Sequence, residues 1–249
     1  MRWTDDHCHL GHLDDDAAAL ADAAAAGVTR VVDVGTDVAD SIAAADRAAA
    51  HDQVWATAGV HPHEARHGLD GLAAVVARDE VRAVGECGLD YHYDHSPRDV
   101  QQDVFRAQIR LAHEVDKALV IHTREAWDDT FALLEEVGMP PRTVFHCFSG
   151  GAAEAERALA LGAHLSFSGI VTFPSAADLR AAVAACPDDR LLVETDAPFL
   201  TPVPHRGRPN RPGHVVLVGE KVAEVRGQTA EAVAEVTWAN AGRVYDLPD

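Results

Sequence analysis

The chain has 249 residues, 47% of them hydrophobic, a length that holds one large α/β domain or two small ones around a real core. Its formal net charge is −19 and only Lys117 and Lys221 are lysines among 21 basic residues, which excludes a broad basic face for gripping duplex nucleic acid. No apolar run approaches the roughly 18 residues of a membrane span, and four scattered cysteines without a C-x-x-C pair fit reduced thiols in a cytoplasmic protein.

Short β-branched runs near residues 3–7, 30–35, 54–60, 81–86, 118–122, 142–146, 163–168 and 190–195 predict strands. Alanine-rich helical patterns fall between and after them, near 15–26, 39–51, 69–78, 98–115, 126–137, 152–161, 176–185 and 214–225, with a last helix near 230–245. Strands alternating with helices imply βαβ units and a parallel sheet. Eight units in this length fit an α/β chain folded as a (β/α)8 TIM-like barrel with an extra C-terminal helix. A doubly wound open sheet would favour G-x-G-x-x-G after the first strand, and none is present. No linker divides the chain, and the Pro/Arg-rich segment 202–212 is too short for a tether, so 1–249 is expected to form a single domain.

The first run ends in Asp5-Asp6-His7-Cys8-His9, with imidazoles at i and i+2 on one face of an extended strand. With 15 histidines, chance supplies about one such pair, and His61-Pro62-His63 is a second. The pair therefore gains weight only from its company. A cleaved leader is not expected, since it would remove His7 and His9. The third strand ends before His61, the fourth at Glu86, the fifth at His122, the sixth at His146 and the eighth at Asp196. In a parallel barrel the C-terminal strand ends share one mouth, where active sites of this fold lie. His7, His9, Glu86, His122, His146 and Asp196 are thus expected to converge. One histidine at a strand end is more often a hydrogen-bonded core residue. Two carboxylates packed with four imidazoles would repel or need protons, a difficulty that a dinuclear metal site removes. Cys8, Cys87 and Cys147 each adjoin one of these residues, so the two-residue period turns them away as small apolar fillers.

These residues sit in longer blocks: H-x-H at 7–9, Gly-Val-His-Pro at 59–62, Gly-Glu-Cys-Gly-Leu-Asp-Tyr at 85–91, Ile-His-Thr-Arg-Glu-Ala at 121–126, His-Cys-Phe-Ser-Gly at 146–150, Ser-Phe-Ser-Gly-Ile-Val-Thr-Phe at 166–173 and Glu-Thr-Asp-Ala-Pro-Phe-Leu at 194–200. In this order, from residue 5 to about 215, they resemble the signature blocks of the TatD family of metal-dependent deoxyribonucleases. The chain is similar in particular to the branch that keeps the initial H-x-H and ends in Pro-Val-Pro-His-Arg-Gly. The resemblance implies a distorted (β/α)8 barrel of the metallo-dependent hydrolase superfamily with two divalent ions. It also implies that His7, His9 and Asp196 hold one ion, His122 and His146 the other, with Glu86 bridging. The activity implied is 3′→5′ exonuclease action on single-stranded DNA or RNA, while some relatives deacylate D-aminoacyl-tRNA.

The metal is left among zinc, manganese, cobalt and magnesium, the nitrogen donors disfavouring a purely magnesium or calcium site. Two ions acidify a water and stabilise both oxygens of an in-line displacement. Asp196 is expected to be both ligand and general base, and His61 either to hydrogen-bond a substrate oxygen or to orient a neighbour. Glu194 and Asp90 read as supporting carboxylates. Arg206, Arg208 and Arg211 crowd the loop after the eighth strand with His205, and Arg124 follows His122. Arg124, His205, Arg206 and Arg208 are the candidate phosphate contacts, although surface ion pairs could equally pin that loop. Tyr91, Phe148, Phe173 and Phe199 are the aromatics available for base stacking. Two other functions stay open: ester or amide hydrolysis, such as deacylation of aminoacyl-tRNA, and a non-catalytic metal-stabilised scaffold. The sequence does not fix an oligomeric state, and a monomer is the simplest expectation.

Overall fold

The structure, a computed structural model, describes residues 1–248. In chain order it contains β1 (Trp3–Cys8), α1 (Asp16–Ala25), β2 (Val28–Val34), α2 (Val38–Ala50), β3 (Val54–Ala58), α3 (Leu72–Val76), β4 (Val81–Asp90), α4 (Arg98–Val115), β5 (Ala118–Arg124) and α5 (Trp127–Val137). There follow β6 (Thr143–Phe145), α6 (Ala152–Ala160), β7 (His164–Phe167), α7 (Ala177–Ala185), β8 (Leu191–Val193), α8 (Val215–Arg226) and α9 (Ala230–Tyr245). The strands take the order β1 to β8 in one sheet, and the pairings are parallel. The strand–helix alternation and the additional C-terminal helix, α9, are those expected from the sequence.

Strands buried on both faces read as near-continuous apolar runs, as in Leu119-Val120-Ile121 of β5. Helix starts follow local polar signals. The side chains of Asp15, Asp37 and Thr229 accept from backbone amides three residues on, capping α1, α2 and α9.

The chain falls into two compact units. One comprises Met1–Asp33, His146–Ala160 and His164–Asp249 and holds β7, β8, β1 and β2. Here Trp3 is fully buried against α8, where a Cβ on Gly219 would lie 2.2 Å from the indole ring, so that contact requires glycine. The chain just past β8 joins β1: the Asp196 amide donates to the His7 carbonyl at 2.9 Å and the His9 amide to that of Ala197 at 2.8 Å. The other unit comprises Val34–Phe145 with Leu161–Ala163 and holds β3 to β6. Its core includes the Phe131 and Phe145 rings, with centroids 5.6 Å apart, and the half-buried Trp127 ring stacks on both at 6.0 Å.

Differences from expectation lie at element ends. β4 continues to Asp90 instead of stopping at 86, and pairs with β5 as far as Asp90↔Arg124 after a register shift between Val84 and Cys87. Gly85 and Gly88 make this possible with φ of +138° and +136°. β6 and β8 are shorter than expected, so His146 and Asp196 lie just beyond them. α3 is a five-residue turn of helix, where a longer one was expected over 69–78. Among the described residues no helix is long and apolar enough to cross a membrane.

Candidate metal centre

Among the described residues each unit carries one group of three side chains that each offer a nitrogen or oxygen atom within 4.8 Å of the others: His7, His146 and Asp196 in the first, His61, Glu86 and His122 in the second.

In the first unit, β1 delivers His7 and the residue after it on the same face, His9. Their rings meet edge-on at 5.2 Å, and His7 stacks on His146 at 3.8 Å. Asp196 Oδ1 lies 3.3 Å from His9 Nε2 and 3.9 Å from His7 Nε2. Asp196 has φ +56°, and its amide donates to the His7 carbonyl, which ties its backbone to β1. Burial pushes this carboxyl up, but the hydrogen bond from His9 and the charges of His9, His146 and His7 outweigh it and hold it below the usual range.

A layer of buried acids supports this group. Glu194, fully buried, accepts from His146 Nδ1 at 3.3 Å and from the Cys147 amide at 2.9 Å. A carboxylate only accepts, so Nδ1 of His146 carries the proton and Nε2 offers the lone pair. The sequence reading of Glu194 as a supporting carboxylate therefore has a definite partner. Asp5 accepts from the Thr195 amide at 2.7 Å and hydroxyl at 2.6 Å, tying β1 to the residue before Asp196. Asp6 accepts from Ser166 at 2.6 Å, and Asp33 accepts from the Leu10 amide at 2.9 Å. Burial pushes both Asp5 and Asp6 well up. Sequence reasoning gave these acids no role, although acids inside a strand-like run are the signal that could have found them.

In the second unit, His61 follows β3, Glu86 lies within β4 and His122 within β5. Gln108 of α4 grips both the amide (2.8 Å) and the carbonyl (3.0 Å) of Val60, and the His61 amide donates to Thr36. Glu86 Oε1 lies 3.0 Å from His122 Nδ1 and 3.5 Å from His61 Nε2. His122 Nε2 donates to Asp90 Oδ2 at 3.1 Å, which His63 Nε2 shares at 3.0 Å. Asp90 Oδ1 accepts from the amides of His92 and Tyr93 at 3.0 Å. Burial raises Asp90, but the hydrogen bond from His122, the Tyr93 amide, the charge of His122 and the His63 bond drive it far below the carboxylate range. Asp90 therefore orients His122 and His63.

The donor chemistry fits a cation. With Nε2–H of His122 committed to an ionised Asp90, its Nδ1 lone pair faces a carboxylate oxygen at 3.0 Å, and only a positive centre or a proton makes that approach favourable. His61 differs. Its Nδ1 accepts from the His63 amide at 3.1 Å, so the neutral ring carries its proton on Nε2, toward Glu86. That tautomer is a donor and not a ligand. His61 is thus close to the group in space but suited to hydrogen bonding.

The candidate substrate contacts take separate partners. Arg124 lies over the Tyr93 ring at 4.7 Å and Arg206 over Phe173 at 3.8 Å. His205 stacks on His214 at 4.7 Å. Arg208 lines a cleft of about 580 Å³ together with His205, His214, Asp14, Asp15 and Asp22. Arg211 pairs with Asp22 at 2.7 Å. Of the aromatics, Phe148 is buried against Phe167, Tyr91 donates its hydroxyl to Asp129 at 2.6 Å, and Phe199 is exposed. Cys8 and Cys87 are buried, their thiols 3.6 and 3.4 Å from carbonyls of neighbouring strands.

Compared with known proteins, the chain matches a family model described as TatD related DNase over residues 4–246. An uncharacterized metal-dependent hydrolase, YabD of Bacillus subtilis (strain 168), is 40% identical over 251 residues, 98% of each chain. The 3′-5′ ssDNA/RNA exonuclease TatD of Pectobacterium parmentieri (strain WPP163) is 36% identical over 233 residues, 89% of this chain and 90% of the relative. The crystal structure of YJJV, a TatD homologue from Escherichia coli K12, matches with a TM-score of 0.93 at 30% identity over 99% of both chains. That likeness identifies the fold as the (β/α)8 barrel.

Proposed function

This chain belongs to the TatD-related DNase family and is a metal-dependent hydrolase; on that premise we propose that it cleaves phosphodiesters at the ends of single-stranded DNA or RNA, in the 3′→5′ direction. The observation that carries this reading is the pairing of each donor group with a carboxylate–imidazole support, Glu194 with His146 and Asp90 with His122. The name of the Pectobacterium relative supports the substrate class.

The resemblance implied His146 as a partner of His122, but its stacking on His7 and its place beside Asp196 favour grouping it with them, so the donors around Asp196 (His7, His9 and His146) would hold one divalent cation, and Glu86 with His122 another. Imidazole nitrogens with carboxylate oxygens suit zinc, manganese or cobalt. When bound, two such ions acidify water and stabilise charge on the attacking and leaving oxygens. The chain's own groups move the protons. Asp196, whose carboxyl lies below the usual range, would accept the proton of the attacking water. His61 donates its Nε2–H to a substrate oxygen, the role its tautomer favours. Arg124, His205, Arg206 and Arg208 are proposed to meet substrate phosphates as point and fork donors. Among the described residues the four cysteines are thiols, which supports a cytoplasmic location.

The test is metal-stripped protein refilled with manganese, zinc or magnesium and given single strands labelled at either end, alongside D-aminoacyl-tRNA. Stepwise release of nucleotides from the 3′ end, abolished in His122→Ala, is expected. Deacylation of the tRNA without nucleotide release would transfer the assignment to carbonyl esters.

A further inference from the structure

Phe199 is about half exposed (51%), yet it is not on a loose loop. Its amide donates to the Asp196 carbonyl at 2.8 Å, and its carbonyl accepts from Asn210 Nδ2 at 2.7 Å. Asn210 is buried and is the rivet of this turn. Its side-chain amide also donates to the Thr195 carbonyl at 2.9 Å, its backbone amide to that of Pro198 at 3.0 Å, and its oxygen accepts from the Arg211 amide and His214. The residues flanking the turn, Asp196 and Leu200, have φ of +56° and +52°. Behind Leu200, a Cβ on Gly169 would come within 2.0 Å of the Leu200 carbonyl, so the turn is seated against bare backbone.

The ring is also placed by its neighbours. It meets His9 at 6.0 Å with planes 69° apart and His12 at 6.2 Å with planes 82° apart, while His9 and His12 stack on each other at 5.4 Å. A single exposed phenylalanine needs no explanation by itself. One that is pinned through backbone hydrogen bonds, three residues past Asp196 and against the ring of His9, has its position specified as closely as the donors it adjoins. It buries little core surface in return. Aromatic faces held rigid beside a strand's path are what single-stranded nucleic acid uses for base stacking, and such contacts tolerate any base because every base has a π face.

We infer that Phe199 is a stacking platform for the terminal base of a single-stranded nucleic acid, and so a specificity-determining residue that favours base-bearing over abasic ends, a role that depends on the nucleic-acid reading of the site. His12, exposed and stacked on His9, extends the same aromatic edge. The base is held on Phe199 while the scissile phosphate lies at the Asp196 donors. Of the other three candidate aromatics, Phe148 is inside the core, Phe173 is covered by Arg206, and Tyr91 lies under Arg98.

The experiment compares kcat/KM of the manganese-loaded enzyme on one single strand ending either in a normal nucleotide or in a tetrahydrofuran abasic residue. The wild type is expected to prefer the base-bearing end about tenfold, the scale of one base–aromatic stack. In Phe199→Ala that ratio falls to within about twofold of unity, and Phe199→Trp restores it. Phe199→Leu, which keeps an apolar side chain, loses the ratio as well and covers a failure of the alanine variant to fold. An undiminished ratio in both Phe199→Ala and Phe199→Leu overturns the inference while the nuclease reading stands. Absence of cleavage of either strand by the wild type removes the nuclease reading and this inference with it.

Discussion

In the proposed mechanism Asp196 is both a metal donor and the proton acceptor. Its histidine neighbours keep it ionised although it is buried, and its backbone is clamped to β1. Asp196→Asn keeps the shape but removes the charge and the proton acceptor. Turnover of a single strand should fall by about 10²–10⁴-fold, the range for loss of a general base. Full activity with metal content retained, by elemental analysis, would remove Asp196 from the proton transfer. A second residue-scale expectation concerns His214, which caps the start of α8. Burial, then the charges of His205 and Arg211, lower it from its usual 6.5 to about 4, and a helix N-terminus disfavours a cation in the same direction. The folded state therefore declines a proton that the unfolded chain accepts below pH 6.5. Stability from this site is present above that pH and is lost as pH falls towards 4. The urea midpoint of the wild type should drop between pH 7 and 5 by more than that of His214→Gln, and equal drops would contradict it. Histidines and acids at strand ends were legible because each follows a β-branched run. Asp5 and Asn210 were not, because their partners are set by the fold and include backbone groups; for Asp5 they are the amide and hydroxyl of Thr195, 190 positions away. Nor could spacing show that His61 carries its proton on Nε2, since that depends on the amide of His63.

At the scale of elements, strand ends govern the chemistry. The sequence placed all eight strands, and its errors cluster where glycine or positive φ occurs. The fourth strand, expected to stop at 86, runs on to Asp90 through Gly85 and Gly88 and carries that carboxylate to His122. A Cβ at position 88 would lie 2.0 Å from the His122 carbonyl, at a backbone φ of +136°. Gly88→Ala should therefore destabilise the fold by about 3 kcal/mol, combining backbone strain with a collision against a carbonyl that cannot swing away. It should also displace His122 and weaken metal binding. Chemical denaturation checks the first effect, and a loss under 1 kcal/mol, within the scatter of ordinary surface substitutions, would mean the strands part more easily than their register suggests. The opposite error occurs at β6 and β8, which end before His146 and Asp196. Apolar patterning carries through both sites, but Cys147 at φ +40° and Asp196 at φ +56° leave the extended conformation, and no residue type there announces it.

For the whole molecule, the acidic balance and the metal chemistry are linked. A net charge of −19 repels polyanions at long range, so under the proposed function affinity for a nucleic acid end would come from bound cations and a few local arginines. Metal should also stabilise the chain, because the donors are assembled only in the folded state. At free metal about 100 times the dissociation constant the gain is about 2.7 kcal/mol, seen as a raised melting temperature that EDTA reverses. An unchanged melting temperature across a manganese or zinc titration would contradict a folded-state site. The family resemblance supplied the expected donor set and the sequence marked Glu194 and Asp90 as supporting carboxylates, but the places of Asp5, Asp6 and Asp33 and the separate partners of the arginine loop required coordinates. The most direct test of the account is the metal content of the protein after equilibrium dialysis against manganese or zinc. Two ions per chain are predicted for the wild type, and one for each of two double variants, His7→Ala with Asp196→Asn and Glu86→Gln with His122→Ala. Less than one ion in the wild type, or two retained in both double variants, would contradict it.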